Sequence, residues 1–521
     1  MLSSNKTLSI IIPACNEEAT LHGVLESCKA LHPKEIIVVA NGCSDRTEEI
    51  AKSHGCMLIS EPSPLGNDVG RAVGAKQATG DVLLFLDADF AIAPLVLQNF
   101  LRPILFGDRD VVLNDFNAFF YKKHRPHTIT VWRQVFNELL DRKDLKIDSI
   151  LSVPHAMTRE ALQKIGVVAL ANPILAQARM IKQNLSIAHD TSIDVITPNR
   201  FRPLEHGHTV PGLPRAEKRM IGDHVAALAE VFDSSRGGFS DGGRRRDIIS
   251  QIQSGQYPLP ITSHGWGVTT QLYKEKQLSV IIPAQNEEKT IGDVITQVRK
   301  IEPFEIIVVV NGSSDSTAQI ATALGAKTLV FPEALGNDVG RSIGAKIATG
   351  DILLFLDADF AIPPKDLFPF CQAIVDGTDI ALNDLDYYLN LSFPLHMVTA
   401  CKYAVNLALD RIDLGIGSMV AVPHSLSKKA LQQIGWVPLL SPTMAQVKGV
   451  LAGLSVRNVY TVDVDLLNRI RPQQHFALQG YAPAVERIIG DHVEGITYLI
   501  SQRGIRGGLY DGMRNLSRLQ Q

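Results

Sequence analysis

The sequence predicts an α/β protein of two tandem domains, each built on a mostly parallel sheet. Three observations predict it. Short β-branched runs such as "LSIII" from Leu8 and "EIIVVA" from Glu35 alternate with helix-spaced segments, the pattern of βα units on a sheet covered on both faces. Almost the whole pattern occurs twice. Each copy also contains an apolar run ending in two aspartates: "ATGDVLLFLDADFAI" (Ala78–Ile92) returns as "ATGDILLFLDADFAI" (Ala348–Ile362), with Val82 against Ile352 the single difference.

The repeat sets the domain organisation. "LSIIIPACNEEATLHGV" at Leu8 returns as "LSVIIPAQNEEKTIGDV" at Leu278, and "EIIVVANGCSDRT" at Glu35 as "EIIVVVNGSSDST" at Glu305, both offset by 270. Further on, "VPHAMTREALQKIG" pairs with "VPHSLSKKALQQIG", "IGDHV" occurs at Ile221 and Ile489, and "RGGFSDG" at Arg236 matches "RGGLYDG" at Arg506. The period is far longer than a solenoid repeat, so two whole domains are expected. The first is placed at 1–250 and the second at 277–521. Residues 251–276 between them, rich in Gly, Pro and Ser without periodicity, read as a linker or short docking segment.

Each element of a copy has a local reason. "LSIII" is a strand buried on both faces, stopped at Pro13. "NEEATLHGVLESCKAL" has helical spacing, with Asn16 expected as N-cap and two glutamates in the first turn at the positive end of the helix. "EIIVVA" is the next strand, "NGCSD" a turn, and "RTEEIAKSHG" a short helix closed by Gly55. "VLLFL" is another buried strand. Ligands on such sheets bind beyond the carboxyl ends of the strands. That places "PACNEE", "NGCSD" and "DADF" along one edge.

The totals exclude several classes. The chain has 521 residues, with 51 basic and 54 acidic side chains and a formal net charge of -3, so it lacks the basic excess of a nucleic-acid binder. No apolar run approaches the roughly 18 residues of a membrane helix, and the N-terminus has no signal-peptide pattern. The six cysteines show no C-x-x-C spacing, and Cys15 and Cys43 are replaced by Gln285 and Ser313 in the second copy. Free thiols in a reducing cytoplasm are expected.

The chemistry is concentrated at the aspartate pairs. Residues i and i+2 on a strand point the same way. Asp87 and Asp89, and again Asp357 and Asp359, can therefore converge on one hard divalent cation, Mg²⁺ or Mn²⁺, which prefers oxygen ligands and shares them with phosphates. "LGNDVGR" is distinctive in both copies. It is read either as a structural turn or as a loop in which Asp68 and Asp338 touch a bound sugar.

The ordered set "IIIPACNEE", "IIVVANGCSD", "GRAVGAKQATGD", "LLFLDADF" resembles the nucleotide-binding half of family 2 glycosyltransferases, which have the GT-A, Rossmann-like fold. The resemblance covers roughly the first 90 residues of each copy and extends to the "LQKIG" stretch near Leu162 and Leu431. It implies that Pro13, Asn16 and Glu17 (Pro283, Asn286 and Glu287) border the nucleoside. It implies that Arg71 (Arg341) precedes the metal strand, and that the aspartate pairs hold the metal on the diphosphate of a nucleotide-sugar donor. The acceptor would be a hydroxyl of unknown class.

Two places depart from that pattern. Where family members often carry an acid at the end of the second strand, reading the base, this chain has Asn41 and Asn311. Where inverting members carry an acidic pair after the "IG" turn, it has Asn172-Pro173 and Ser441-Pro442, so the expected base is missing. Asp115 and Asp384, present in both copies, are candidate replacements. A retaining mechanism is the other response. "NRFRPLEH" and "NRIRPQQH" resemble segments of glucosyl-3-phosphoglycerate synthase-like retaining enzymes, which implies a further metal ligand at Asn199 or Asn468, with His206 and His475 beside it.

Two more histidine pairs recur, His155 with His424 and His224 with His492, each read as structural rather than ligating. "RGGFSDGGRRR" and "RGGLYDGMRN" are read either as basic loops closing over a diphosphate or as solvated segments. The leading expectation is a metal-dependent tandem glycosyltransferase. A sugar-nucleotide-binding or scaffold protein is the alternative, and a nucleotidyltransferase is disfavoured because "PACNEEAT" lacks that class's glycine-rich Arg/Lys loop.

Overall fold

The computed structural model describes residues 5–120, 125–199, 202–207, 212–265, 267, 272–391, 393–464, 476–478 and 480–520. The chain forms two compact units. Unit 1 comprises Met1–Val231, Leu391–Leu395 and Arg503–Gln521, and unit 2 comprises Phe232–Asn390 and His396–Gln502.

Unit 1 contains a seven-stranded sheet in the order β3-β2-β1-β4-β6-β5-β7. Its strands are β1 (Leu8–Ala14), β2 (Glu35–Asn41), β3 (Met57–Glu61), β4 (Val82–Phe85), β5 (Val111–Asn114), β6 (His155–Thr158) and β7 (Ile187–Thr191). β1 runs parallel to β2 and to β4, with Ile11 opposite both Ile37 and Phe85. The carboxyl ends of β1, β2 and β4 therefore lie on one edge. β6 is the antiparallel strand, paired with β4 and with β5.

Unit 2 repeats this plan with one strand more, in the order β15-β13-β14-β12-β9-β10-β11-β8. These are β8 (Ile261–His264), β9 (Leu278–Ala284), β10 (Glu305–Asn311), β11 (Lys327–Phe331), β12 (Ile352–Phe355), β13 (Ile380–Asn383), β14 (His424–Ser427) and β15 (Val456–Tyr460). The extra strand β8 comes from the Gly/Pro/Ser-rich stretch 251–276 and pairs antiparallel with the sheet edge at β11.

The buried strands are as the apolar runs predict: every residue of β4 and of β12 is buried. The helix after β1 differs from the sequence expectation. It spans Leu21–Lys29, is preceded by Thr20 and has no acidic residue in its first turn. Asn16 does not cap it. Asn16 sits at φ +57°, a conformation that Asn tolerates better than most residues, and its Oδ1 accepts a 2.7 Å bond from the Ser44 amide. A local asparagine turn tying two sheet-edge loops together outcompetes the cap.

The stretch containing "DVGR" is mostly helical, spanning Val69–Gln77 in unit 1 and Val339–Ile347 in unit 2. Its glycines allow the helix to lie close on the sheet. A Cβ on Gly74 would come within 2.5 Å of Ile11 Cγ2, and one on Gly70 within 3.0 Å of Pro13 Cβ. Helix and strand share one core, in which Val69, Ala72 and Val73 pack with Ile11, Ile37, Val39 and Phe85.

Candidate active site

The strand ends of unit 1 open onto a cavity of about 520 Å³. Pro13 comes from β1 and Glu17 from the loop after it, Asn41 from the end of β2, and Asp87 and Asp89 from the segment after β4, which ends at Phe85, so the pair lies beyond the strand and not on it as the spacing predicts. Asp68 and Arg71 come from the glycine-rich loop and its helix. Asn199, Arg202, His206 and Arg219 complete the lining. Residues that are far apart in sequence thus meet because three parallel strands end at one edge.

An ion-pair relay leads to the aspartates. Arg71 donates one 2.7 Å bond to Asp68 and one 2.8 Å bond to Asp87. Asp68 lies at φ +67° just before the helix, and its second oxygen accepts a 2.9 Å bond from Arg514. Burial would raise the Asp68 pKa, but the guanidiniums of Arg71, Arg514 and Arg219 outweigh it and hold the carboxyl below its ordinary range. Unit 2 has the same relay, with Arg341 bonded to Asp338 and to Asp357 at 2.5 Å each, and Arg244 bonded to Asp338 at 2.7 Å.

Asp89 carries the strongest sign of a cation site. Its Oδ1 is buried without a hydrogen-bond donor. Burial, and then the Asp87 charge, push its pKa up. Among the described residues the cation on it is Arg202, 3.4 Å from Oδ2 and shared with Glu17 at 3.3 Å. Two converging carboxylates with an unsatisfied buried oxygen fit a divalent ion. Among the described residues no group of three or more His, Cys, Asp or Glu gathers as a complete ligand cage.

The other sequence candidates fall in different places. Both ends of the Asn41 amide are used within the protein, Oδ1 by the Leu65 amide at 2.5 Å and Nδ2 by the Gly66 carbonyl at 3.2 Å. Asn311 repeats this on Leu335 and Gly336. These asparagines hold the glycine-rich loop. In unit 2, Asn286 repeats the Asn16 turn on Ser314, and the Glu287 amide donates to the Thr317 hydroxyl as the Glu17 amide does to Thr47. Pro283 packs against Gly340.

Asp115, just after β5, is absent from the cavity lining. Its oxygens accept from the Asn117 amide and from Ser192. Asp384 makes the same turn with Asp386. Asn172 caps the helix Pro173–Lys182 through Leu175. His206 lines the cavity and accepts from the Arg202 amide at 3.0 Å. Asn468 and His475 lie outside the described residues.

The remaining histidines are packing groups. His155 stacks on Phe85 with ring centres 4.8 Å apart, and His424 on Phe355 at 4.9 Å. Burial pushes each down to about 3, so both are neutral. His224 and His492 sit mid-helix, each bonded to the carbonyl four residues back.

Three cationic residues were not singled out from sequence: Arg202, Arg219 and Arg514. The recurring Arg-Pro at Arg202 was the available signal for the first. For Arg514 the signal was its equivalence to Arg244 at the repeat offset.

Comparison with known proteins now adds a decisive match. The model of the family described as "Glycosyl transferase family 2" matches residues 9–166 and again 279–433. The chain belongs to glycosyl transferase family 2. Both matched spans of this family 2 chain contain the strand-end aspartates. Among curated relatives, a 4,4'-diaponeurosporenoate glycosyltransferase of Staphylococcus aureus is 36% identical over 100 residues, 18% of this chain and 27% of that protein. A glucosyl-3-phosphoglycerate synthase of Mycobacterium tuberculosis is 35% identical over 138 residues, 23% of this chain and 42% of that protein. The chain thus spans less than half the length of these relatives. A crystal structure of the M. tuberculosis synthase with Mn²⁺, uridine diphosphate and phosphoglyceric acid aligns with 24% identity and a TM-score of 0.34, over 46% of this chain and 81% of that one. No helix among the described residues is long and apolar enough to cross a membrane.

Proposed function

We propose that each copy binds a nucleotide-sugar donor through a divalent cation and transfers the sugar to an acceptor hydroxyl. The observation that carries this reading is the buried, unsatisfied Oδ1 of Asp89 beside Asp87 at the mouth of a cavity lined by Arg71, Arg202 and Arg219. Donor cleavage releases a diphosphate. A divalent ion stabilises the charge developing on that leaving group. Asp87 and Asp89, or Asp357 and Asp359, would hold the ion.

The chain's own residues supply the rest. Arg71 keeps Asp87 oriented while Asp68 keeps Arg71 oriented. Arg202, beside Asp89 and Glu17, and Arg219, paired with Glu205, add positive charge to the cavity, suited to phosphate oxygens. Pro13 and Glu17 border the space where the nucleoside would lie. Asn41 shapes that space by fixing the loop.

The test is turnover of a nucleotide-sugar panel with Mn²⁺ or Mg²⁺, by the full chain and by Asp87→Ala and Asp357→Ala. Loss of part of the transfer or donor-hydrolysis rate in each variant is expected. Turnover unchanged in both would contradict the metal assignment. Metal-dependent donor binding with no turnover would favour a sugar-nucleotide-binding or scaffold protein instead.

A further inference from the structure

The tail segments of the two copies are exchanged. The segment beginning "RGGLYDGMRN", which ends the second copy, is part of unit 1, and "RGGFSDGGRRR", which ends the first, is part of unit 2. The contacts are specific and they repeat. Arg506 and Arg514 of the second copy bond to Asp223, at 2.6 Å each through Nη1. Arg236 and Arg244 of the first copy bond to Asp491 at 2.8 and 2.6 Å.

Each tail also grips the glycine-rich loop of its host unit. The Asn515 amide donates to the Leu65 carbonyl, and the Arg245 amide to the Leu335 carbonyl, both at 2.8 Å. Arg514 Nε donates to the Asn67 carbonyl at 3.2 Å, and Arg244 Nε to the Asn337 carbonyl at 3.0 Å. Apolar residues follow. Leu519 joins the unit 1 core with Leu65 and Val69, and Ile248, Ile249 and Ile252 join the unit 2 core with Leu335 and Val339. Each basic segment is anchored by a buried arginine: the Arg244 side chain is fully buried, and that of Arg514 is 7% exposed.

From this we infer that Arg514 is a positioning residue of the first copy's donor site, and Arg244 of the second copy's. Each is supplied by the other copy. Arg514 fixes Asp68, Asp68 fixes Arg71, and Arg71 fixes Asp87. Arg244 acts in the same way through Asp338 and Arg341 on Asp357. A guanidinium bonds two carboxylates and a carbonyl at once, in a planar fork that an ammonium cannot reproduce. The inference rests on the proposed donor sites for its functional consequence, but the crossed positioning has a test of its own.

That test uses the full chain and two variants, Arg514→Lys and Arg244→Lys. Without ligand, amide hydrogen exchange is read over residues 65–71 and 335–341. Arg514→Lys is expected to speed exchange at 65–71, and Arg244→Lys at 335–341. Effects on the variant's own copy, or on neither loop, would overturn the inference. The donor consequence is read by calorimetry with uridine diphosphate and Mn²⁺ in two backgrounds. One carries Asp357→Ala with Asp359→Ala, the other Asp87→Ala with Asp89→Ala. Arg514→Lys is expected to weaken binding about tenfold in the first, and Arg244→Lys about tenfold in the second. The reverse pairing would overturn it. If neither parent background binds the probe, the donor-site reading fails, and the exchange pattern still decides the crossed positioning.

Discussion

The two copies agree at one end of the sheet and differ beyond it. At the strand ends the relay of guanidinium and carboxylate is the same to within a few tenths of an ångström: Arg71 to Asp68 and Asp87 in one, Arg341 to Asp338 and Asp357 in the other. Past β5 the copies solve one packing problem in two ways. In unit 1 a wholly buried Asp148 accepts from the Phe116 amide, the Asn117 side chain and His189. In unit 2 the matching positions are Asp386, Gly417 and Asn458. There the carboxylate has moved to Asp386, which accepts from the Ile416 amide, while Asn458 donates to the Leu414 carbonyl. Polar satisfaction of a buried loop allows several solutions. The arginine–aspartate contact at the strand ends is the same in both copies.

The largest expected effect tests the sameness. Asp223→Ala leaves Arg506 with carbonyl partners only and Arg514 with Asp68, whereas Asp491→Ala leaves Arg236 with Glu494 and Arg244 with Asp338. Removing one partner of a buried ion pair costs up to about 3–5 kcal/mol, so both variants should lower the unfolding temperature in thermal denaturation, Asp223→Ala by more. A large loss in one and none in the other would show that the two tails are not equivalent.

The next prediction tests the difference. Asp148→Ala leaves a buried amide, a carboxamide and an imidazole without their acceptor, at a cost of about 2 kcal/mol. Asp386→Ala, at a half-buried carboxylate, should cost less in denaturant titration.

The same region should differ in its pH response. The hydrogen bond to Asp148 raises the His189 pKa above its ordinary value. Because the folded pKa is raised, the stabilisation is complete below about pH 6.5 and is lost as pH rises through the folded value. Unfolding midpoints of unit 1 should therefore fall above pH 6.5, and His189→Asn should remove that dependence. Unit 2, with Asn458 at this place, lacks the titrating group.

Much of this was legible in the sequence, for a physical reason. A strand buried on both faces is a continuous apolar run, so β1, β2, β4 and their copies announced themselves, and the aspartates at the end of β4 followed. Helix starts were less legible. Asn16 reads as a cap in any local window, yet its partner Ser44 is 28 residues away. The tails were legible as basic repeats but not as exchanged ones. A repeat offset says which residues correspond, and carries no information about which copy a segment packs against. The histidines at 155 and 424 read as structural, and their rings stack on strand phenylalanines.

The smallest expected effect separates the helix Pro173–Lys182 from its counterpart Pro442–Leu451. Asn172 caps its helix through the Leu175 amide, whereas Ser441 makes no side-chain cap bond. Asn172→Ala should cost about 1 kcal/mol, and Ser441→Ala should leave the unfolding midpoint nearly unchanged.

The most direct test of two working donor sites is a count. Calorimetric titration of the full chain with its nucleotide-sugar donor and Mn²⁺ should give a stoichiometry of two, falling to one in Asp87→Ala and to one in Asp357→Ala. A stoichiometry of one in the parent chain, abolished by one variant and untouched by the other, would contradict the account and leave one copy as a support for its neighbour.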